Sequence, residues 1–172
     1  MKGMLQIYTG NGKGKTTASL GLALRAAGHG NIVCMIQFMK GQTNYGELES
    51  AKKIPGFEIR QFGRPDFVDK KNPDPRDIQG AREALAYAAQ IIKRGGCDVL
   101  ILDELNVACD FGLVDKQSVL ELVDSKPEAM ELVITGRYAP QWLLEKADLI
   151  TEMKEIKHYY QQEVPAREGI EF

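Results

Sequence analysis

Cysteine is scarce in this chain. Cys34, Cys97 and Cys109 are far apart, odd in number and form no C-x-x-C pair. That argues against a disulfide framework or a cysteine metal knuckle, and a reducing compartment fits best. Cys34 lies in an apolar run and reads as a small buried thiol. Histidine is limited to His29 and His158, distant in sequence, so no histidine metal cluster is expected; His29 reads as a helix-end residue. Neither sign of charge dominates: 22 Lys and Arg face 24 Asp and Glu, a net charge of -2. No field favours nucleic acid or an anionic membrane. A polyanionic small ligand is still accessible to a few lysines and backbone amides. No apolar run approaches the roughly 18 residues of a membrane span. The start, MKGMLQIYTG, has no long apolar segment or cleavage-like site, and a cytoplasmic location is expected.

What is present is an alternation of strand and helix patterns. With 172 residues, 44 % of them apolar, the chain can bury the core of one domain, residues 1–172. Its polar tail begins at about 157. Short apolar runs at 4–8, 31–38, 97–104 and 130–137 read as strands covered on both faces, as in a parallel sheet. FEIRQF (57–62) alternates, and 148–156 is a last strand candidate. Helices are expected to about Ala27, over ELESAKKI, over 78–95, over 115–124 and from Pro140 to Ala147. In the first helix Ala18, Leu22 and Ala26, with Ala23 and Ala27, form the apolar face. In the long one the face is Ile78, Ala81, Leu85, Ala88 and Ile92. Residues 63–77 form a long loop with three prolines, of a length that is usually functional or disordered. The class is α/β: a P-loop nucleotide-binding fold with a mainly parallel central sheet flanked by helices.

The chemistry concentrates after the first strand. TGNGKGKTT places Gly10, Gly12 and Gly14 among small residues that let successive backbone N–H groups turn inward as an anion nest. A helix N-terminus follows and adds its free N–H groups. Lys15 supplies a point charge for the outer phosphates, and the Thr16 hydroxyl is placed for Mg²⁺. The usual spacing puts a glycine at position 9; here Thr9 stands there and Gly10 follows, so the loop is shorter or differently wound.

VLILDE ends a buried strand on Asp103, where a carboxylate reaches Mg²⁺ directly or through water. Glu104 beside it is a second metal candidate or a base for water. Tyr8, Asp103 and Thr135 all sit at strand ends, where ligands bind in an open parallel sheet. Arg137, in TGR, can clamp a phosphate with its donor fork. Lys40 can steady phosphate or be an ordinary solvated lysine, and Gly41 permits close backbone approach. No N-K-x-D motif appears, which disfavours a GTPase. On these residues alone, a P-loop ATPase with Glu104 activating water and a non-catalytic ATP-binding switch both stay open.

Taken together, YTGNGKGKTTASLGLALRAAGHG (8–30), QFMKG (37–41) with Gly46-Glu47, ILDEL (101–105), TGR (135–137), ADLITEM (147–153), KH (157–158) and GIEF (169–172) resemble the P-loop type ATP:corrinoid adenosyltransferases of cobalamin biosynthesis and salvage. The resemblance implies transfer of the 5′-deoxyadenosyl group of ATP to the Co(I) centre of a reduced corrinoid, with release of triphosphate. It implies ATP held in reversed sense in the loop. Gly10, Gly12, Lys13, Gly14, Lys15, Thr16 and Thr17 would cradle the triphosphate, with Asn11 on phosphate or sugar. Thr16, Asp103 and Glu104 would place Mg²⁺. It also implies a homodimer and a reductase that supplies Co(I). The family's Phe–Trp pair after the third strand is missing: the chain reads FGRPDFV there, and its single tryptophan, Trp142, lies elsewhere. Phe67, or Phe62, is the candidate to face the corrin. The 63–77 segment and the tail are the candidate lids.

Overall fold

A computed structural model describes residues 2–41 and 45–172. Among the described residues six strands form one sheet in the order β3-β2-β4-β5-β1-β6, with every neighbouring pair parallel. They are β1 (Leu5–Thr9), β2 (Val33–Gln37), β3 (Phe57–Gln61), β4 (Val99–Asp103), β5 (Glu131–Thr135) and β6 (Leu149–Glu152). All their carboxyl ends therefore share one edge of the sheet. β2 and β4, VCMIQ and VLILD, are buried at every position, as both-face coverage requires. β6 is the opposite case, an edge strand exposed along its whole length.

The helices are α1 (Lys15–Gly28), α2 (Gly46–Ala51), α3 (Pro75–Arg94), α4 (Leu105–Asp110), α5 (Lys116–Asp124) and α6 (Gln141–Leu144). One core joins α3, α4 and α5 to one face of the sheet, around Ile36, Leu100, Leu102 and Leu132. A smaller core sets α1 on the other face, around Met35, Ile101 and Val133. No described helix is long and apolar enough to cross a membrane.

Three local expectations are corrected. α1 packs the expected Leu22, Ala23, Ala26 and Ala27 against the core, but in its first half Lys15 and Ser19 are the buried residues instead of Ala18. Ser19 is tolerated there because its hydroxyl donates to the Thr16 carbonyl at 2.7 Å. α3 starts at Pro75, three residues early, because Asp74 caps it by accepting from the Arg76 N–H at 2.8 Å and proline suits the first turn. The unpatterned tail contains a 3₁₀ turn, Tyr159–Gln162, and an ordered polar network. The 63–77 loop is tied down as well: Arg64 grips Asp77 with two bonds of 2.8 and 2.9 Å, and Lys70 reaches Asp110 at 2.6 Å.

Candidate nucleotide and metal site

The glycine-rich loop is shaped by close packing. Gly10 (φ 94°) and Gly14 (φ 118°) adopt left-handed backbone that a side chain resists. A Cβ on Gly10 would lie 2.5 Å from the Met153 carbonyl oxygen, and one on Gly12 2.7 Å from it. The Gly12 N–H donates to that same oxygen at 2.6 Å. Its amide is thereby committed to the loop's own support, a departure from a nest in which every amide faces a ligand. Gly14 precedes α1 without any side-chain cap, so the helix N-terminus keeps its N–H groups for an anion.

Lys15 is buried, and its ammonium donates to the carbonyls of Gly10 (2.8 Å) and Gly12 (2.7 Å). Burial, aided by the Arg137 charge, lowers its pKa, against the pull of Glu104 and Asp103. Thr16 turns the other way: its hydroxyl donates to Asp103 Oδ1 at 2.9 Å. Thr135 donates to the same oxygen at 2.6 Å, and Lys40 closes on Oδ2 at 2.7 Å. Asp103 is fully buried, and groups from α1, β5 and the turn after β2 converge on it. Burial works against the Lys40 ammonium, but Asp103 outweighs it and the Lys40 pKa is raised. Lys40 is thus a structural partner as much as a cavity residue.

Glu104 follows with φ 66°, a left-handed turn without glycine. Its N–H is held by the Thr135 hydroxyl at 3.1 Å, which fixes the turn and starts α4. Burial first, then the Asp103 charge, raises the Glu104 pKa, against Lys40, Lys15 and Arg137. Next along the edge, Gly136 (φ 128°) donates to the Tyr8 carbonyl at 3.1 Å and presents Arg137. Arg137 is exposed and makes no hydrogen bond or ion pair with another described residue.

A cavity of about 680 Å³ opens over this edge. Gly12, Lys13, Gly14, Lys15, Thr16 and Thr17 line it, together with Lys40, Glu104 and Arg137. Asp103 lies beneath, reaching it through Thr16 and Lys40. Outside the lining are Gly10, which shapes the loop from behind, and Asn11, which is exposed. Phe67 is also outside, fully exposed on the 63–77 loop. Phe62 is taken up by packing against the core, its ring 5.7 Å from that of Tyr87. Tyr8 turns its hydroxyl back to Gln6 at 2.6 Å, so it supplies the strand end but no side chain to the cavity. Gly41 is used for close approach to the chain itself: a Cβ there would sit 1.9 Å from the Gly63 oxygen.

The sequence reading passed over several lining residues: Leu20 of α1, Tyr45 and Ser50 around α2, and His158. Tyr45 had one discoverable signal, an aromatic directly before Gly46-Glu47; its ring faces the Lys40 ammonium at 5.5 Å. Residues 169–172 also line the cavity.

The donor set at the Thr16 edge is one hydroxyl and two carboxylates, the hard oxygens that suit Mg²⁺. No cluster of three His, Cys, Asp or Glu able to hold a metal occurs among the described residues. The fit is therefore to an ion completed by ligand phosphates and water, which is how Mg²⁺ usually binds beside polyphosphate.

A family model described as ATP:corrinoid adenosyltransferase BtuR/CobO/CobP matches residues 1–172. The corrinoid adenosyltransferase of Pseudomonas aeruginosa is 34 % identical over 171 residues, covering 99 % of this chain and 84 % of that protein. A corrinoid adenosyltransferase of Sinorhizobium sp. is 36 % identical, covering 99 % and 81 %. That of Escherichia coli K12 is 32 % identical, covering 99 % and 86 %.

Proposed function

The chain belongs to the ATP:corrinoid adenosyltransferase family, and from that premise we propose that it transfers the 5′-deoxyadenosyl group of ATP to the Co(I) centre of a reduced corrinoid. The observation that carries the reading is the meeting of Lys15, Thr16, Glu104 and Arg137 around one cavity, above the buried Asp103.

In the reaction, the Co(I) electron pair forms a bond to C5′ of the ribose. The C5′–O bond breaks, and its pair leaves with inorganic triphosphate. No proton transfer is required at carbon. What the protein must do is hold the polyphosphate, stabilise the charge that grows on it, and leave C5′ open in line. Lys15 exchanges its two loop carbonyls for phosphate oxygens. The free N–H groups at the start of α1, with Lys13 and Thr17, surround the same anion. Arg137, having no ion-pair partner among the described residues to give up, would clamp it. Thr16, Asp103 and Glu104 would hold Mg²⁺, which neutralises part of the polyphosphate charge when bound. Lys40 holds the Asp103 carboxylate in place with its 2.7 Å contact. Phe67, wholly exposed, is proposed to meet the corrin only when the substrate arrives. The Co(I) state calls for an electron donor, proposed to be a reductase, and the working form is proposed to be a homodimer.

The test is anaerobic incubation with Mg-ATP and chemically reduced cob(I)alamin. Adenosylcobalamin and triphosphate should appear together in equal amounts. ADP and phosphate alone would replace this reading with ATP hydrolysis. ATP binding with no turnover would make the protein a nucleotide-binding switch.

A further inference from the structure

Residues 169–172, GIEF, are anchored in an unusual way. Glu171 is the hub. Its carboxylate accepts from the Tyr159 hydroxyl and from the Arg167 N–H (2.7 Å), and it lies 3.6 Å from the Lys13 ammonium. Arg167 adds its guanidinium to Glu171 and lies over the Tyr159 ring at 5.0 Å. The Lys13 ammonium also donates to the Ile170 carbonyl at 3.2 Å, and the Gly169 N–H (φ 75°) donates to the Phe172 carbonyl at 2.8 Å. These bonds hold the Glu171 carboxyl at about 2, chiefly through Arg167 and Tyr159. Ordering four residues costs conformational entropy. Polar contacts offset it here, because the apolar side chains are left out: Ile170 is 58 % exposed and Phe172 42 %. Both line the nucleotide cavity, next to Lys13 of the phosphate loop.

The cationic lining residues, Lys13, Lys15, Lys40 and Arg137, suit polyphosphate, not a purine. Among the lining residues, large apolar or aromatic surface comes from Leu20, Tyr45, Ile170 and Phe172, with the His158 ring beside them. A base bound through its phosphates must lie against surface of this kind.

We propose that Ile170 and Phe172 form the wall on which the adenine of ATP packs, and that Glu171 is the positioning residue that fixes this wall to Lys13 of the phosphate loop. The proposal rests on the ATP reading above and adds to it where the nucleoside is held. Selectivity for a nucleoside triphosphate over bare polyphosphate then resides in residues 170 and 172, while charge binding resides in the loop.

The experiment is calorimetric titration of Mg-ATP and, separately, of inorganic tripolyphosphate with Mg²⁺. The wild type is compared with the Ile170→Ala/Phe172→Ala double variant, with Phe172→Tyr and with Glu171→Ala. The double variant should bind ATP about tenfold more weakly, the loss of one stacked base, with tripolyphosphate affinity unchanged. Phe172→Tyr should keep wild-type ATP affinity. Glu171→Ala should lower the ratio of ATP to tripolyphosphate affinity, which a loss of folding alone would leave unmoved. Unchanged ATP affinity in the double variant overturns the proposal, as does an equal loss for both ligands. If the wild type binds neither ligand, the failure lies instead with the phosphate-site reading.

Discussion

Lys40 and Asp103 meet at 2.7 Å beneath the cavity, joining the turn after β2 to the end of β4. Asp103 is sealed from solvent, and Lys40 is its only cationic contact among the described residues. Truncating Lys40 strands a buried carboxylate, whereas removing both charges does not. Lys40→Met should therefore destabilise the protein by about 1.5–3 kcal/mol. The Lys40→Met/Asp103→Asn pair should lose clearly less than the two single changes summed. Urea unfolding of the four proteins checks this, and strict additivity would show the contact to be energetically idle.

Glu104 makes a pH prediction. Its folded pKa lies above the ordinary 4.5 because of burial and then Asp103. The folded state thus keeps the proton longer than the unfolded chain. That favours folding at low pH, and the advantage is lost as pH rises from about 4.5 through the folded value. Glu104→Gln removes the ionisation. It should match the wild type below this window and be the more stable protein above it. Denaturation midpoints from pH 4 to pH 8 read the difference, and parallel curves would contradict it.

Lys15→Ala should lower turnover by about 10²–10³-fold, the usual loss when one donor to a developing anion is removed. The measurement is adenosylcobalamin formed from saturating cob(I)alamin. Activity within twofold of wild type would remove Lys15 from the phosphate site.

Gly136→Ala places a side chain at φ 128°, with its Cβ 3.0 Å from Asn106 Cβ and 3.1 Å from the Val107 nitrogen. Asn106 has no room to retreat: it is fully buried and its amide donates to the Gly136 carbonyl at 3.1 Å. A loss of more than about 1 kcal/mol is expected, together with weaker ATP binding as Arg137 is displaced. Thermal melts and ATP titration give both readouts, and a neutral effect on both would contradict the assignment.

Phe67 is fully exposed, so in Phe67→Ala stability should stay within about 0.5 kcal/mol and ATP affinity should not change. The rate at limiting corrinoid should fall. An unchanged rate would take Phe67 out of the corrinoid site.

These predictions draw unequally on what the sequence made legible. Each buried strand could be read because a short apolar run between turn residues has few other uses. Asp103 and Thr16 could be paired because a strand-end carboxylate and a loop hydroxyl answer the same ligand. α4 was not legible: its six residues lack a capping side chain, and the turn before it uses Glu104 in a backbone region where glycine is the usual signal. Lys40 stayed ambiguous because a lysine's partner lies on another strand, beyond the reach of local pattern. The tail looked patternless because its order comes from Glu171, Arg167, Tyr159 and Lys13, polar contacts without periodicity.

The packing of Gly10 and Gly12 against Met153 and Lys154 has one more consequence. The phosphate loop takes its curvature from a mould more than 130 residues downstream. It is not a portable cassette: a fragment ending before Met153 would contain every letter of the motif and still lack the surface that bends it.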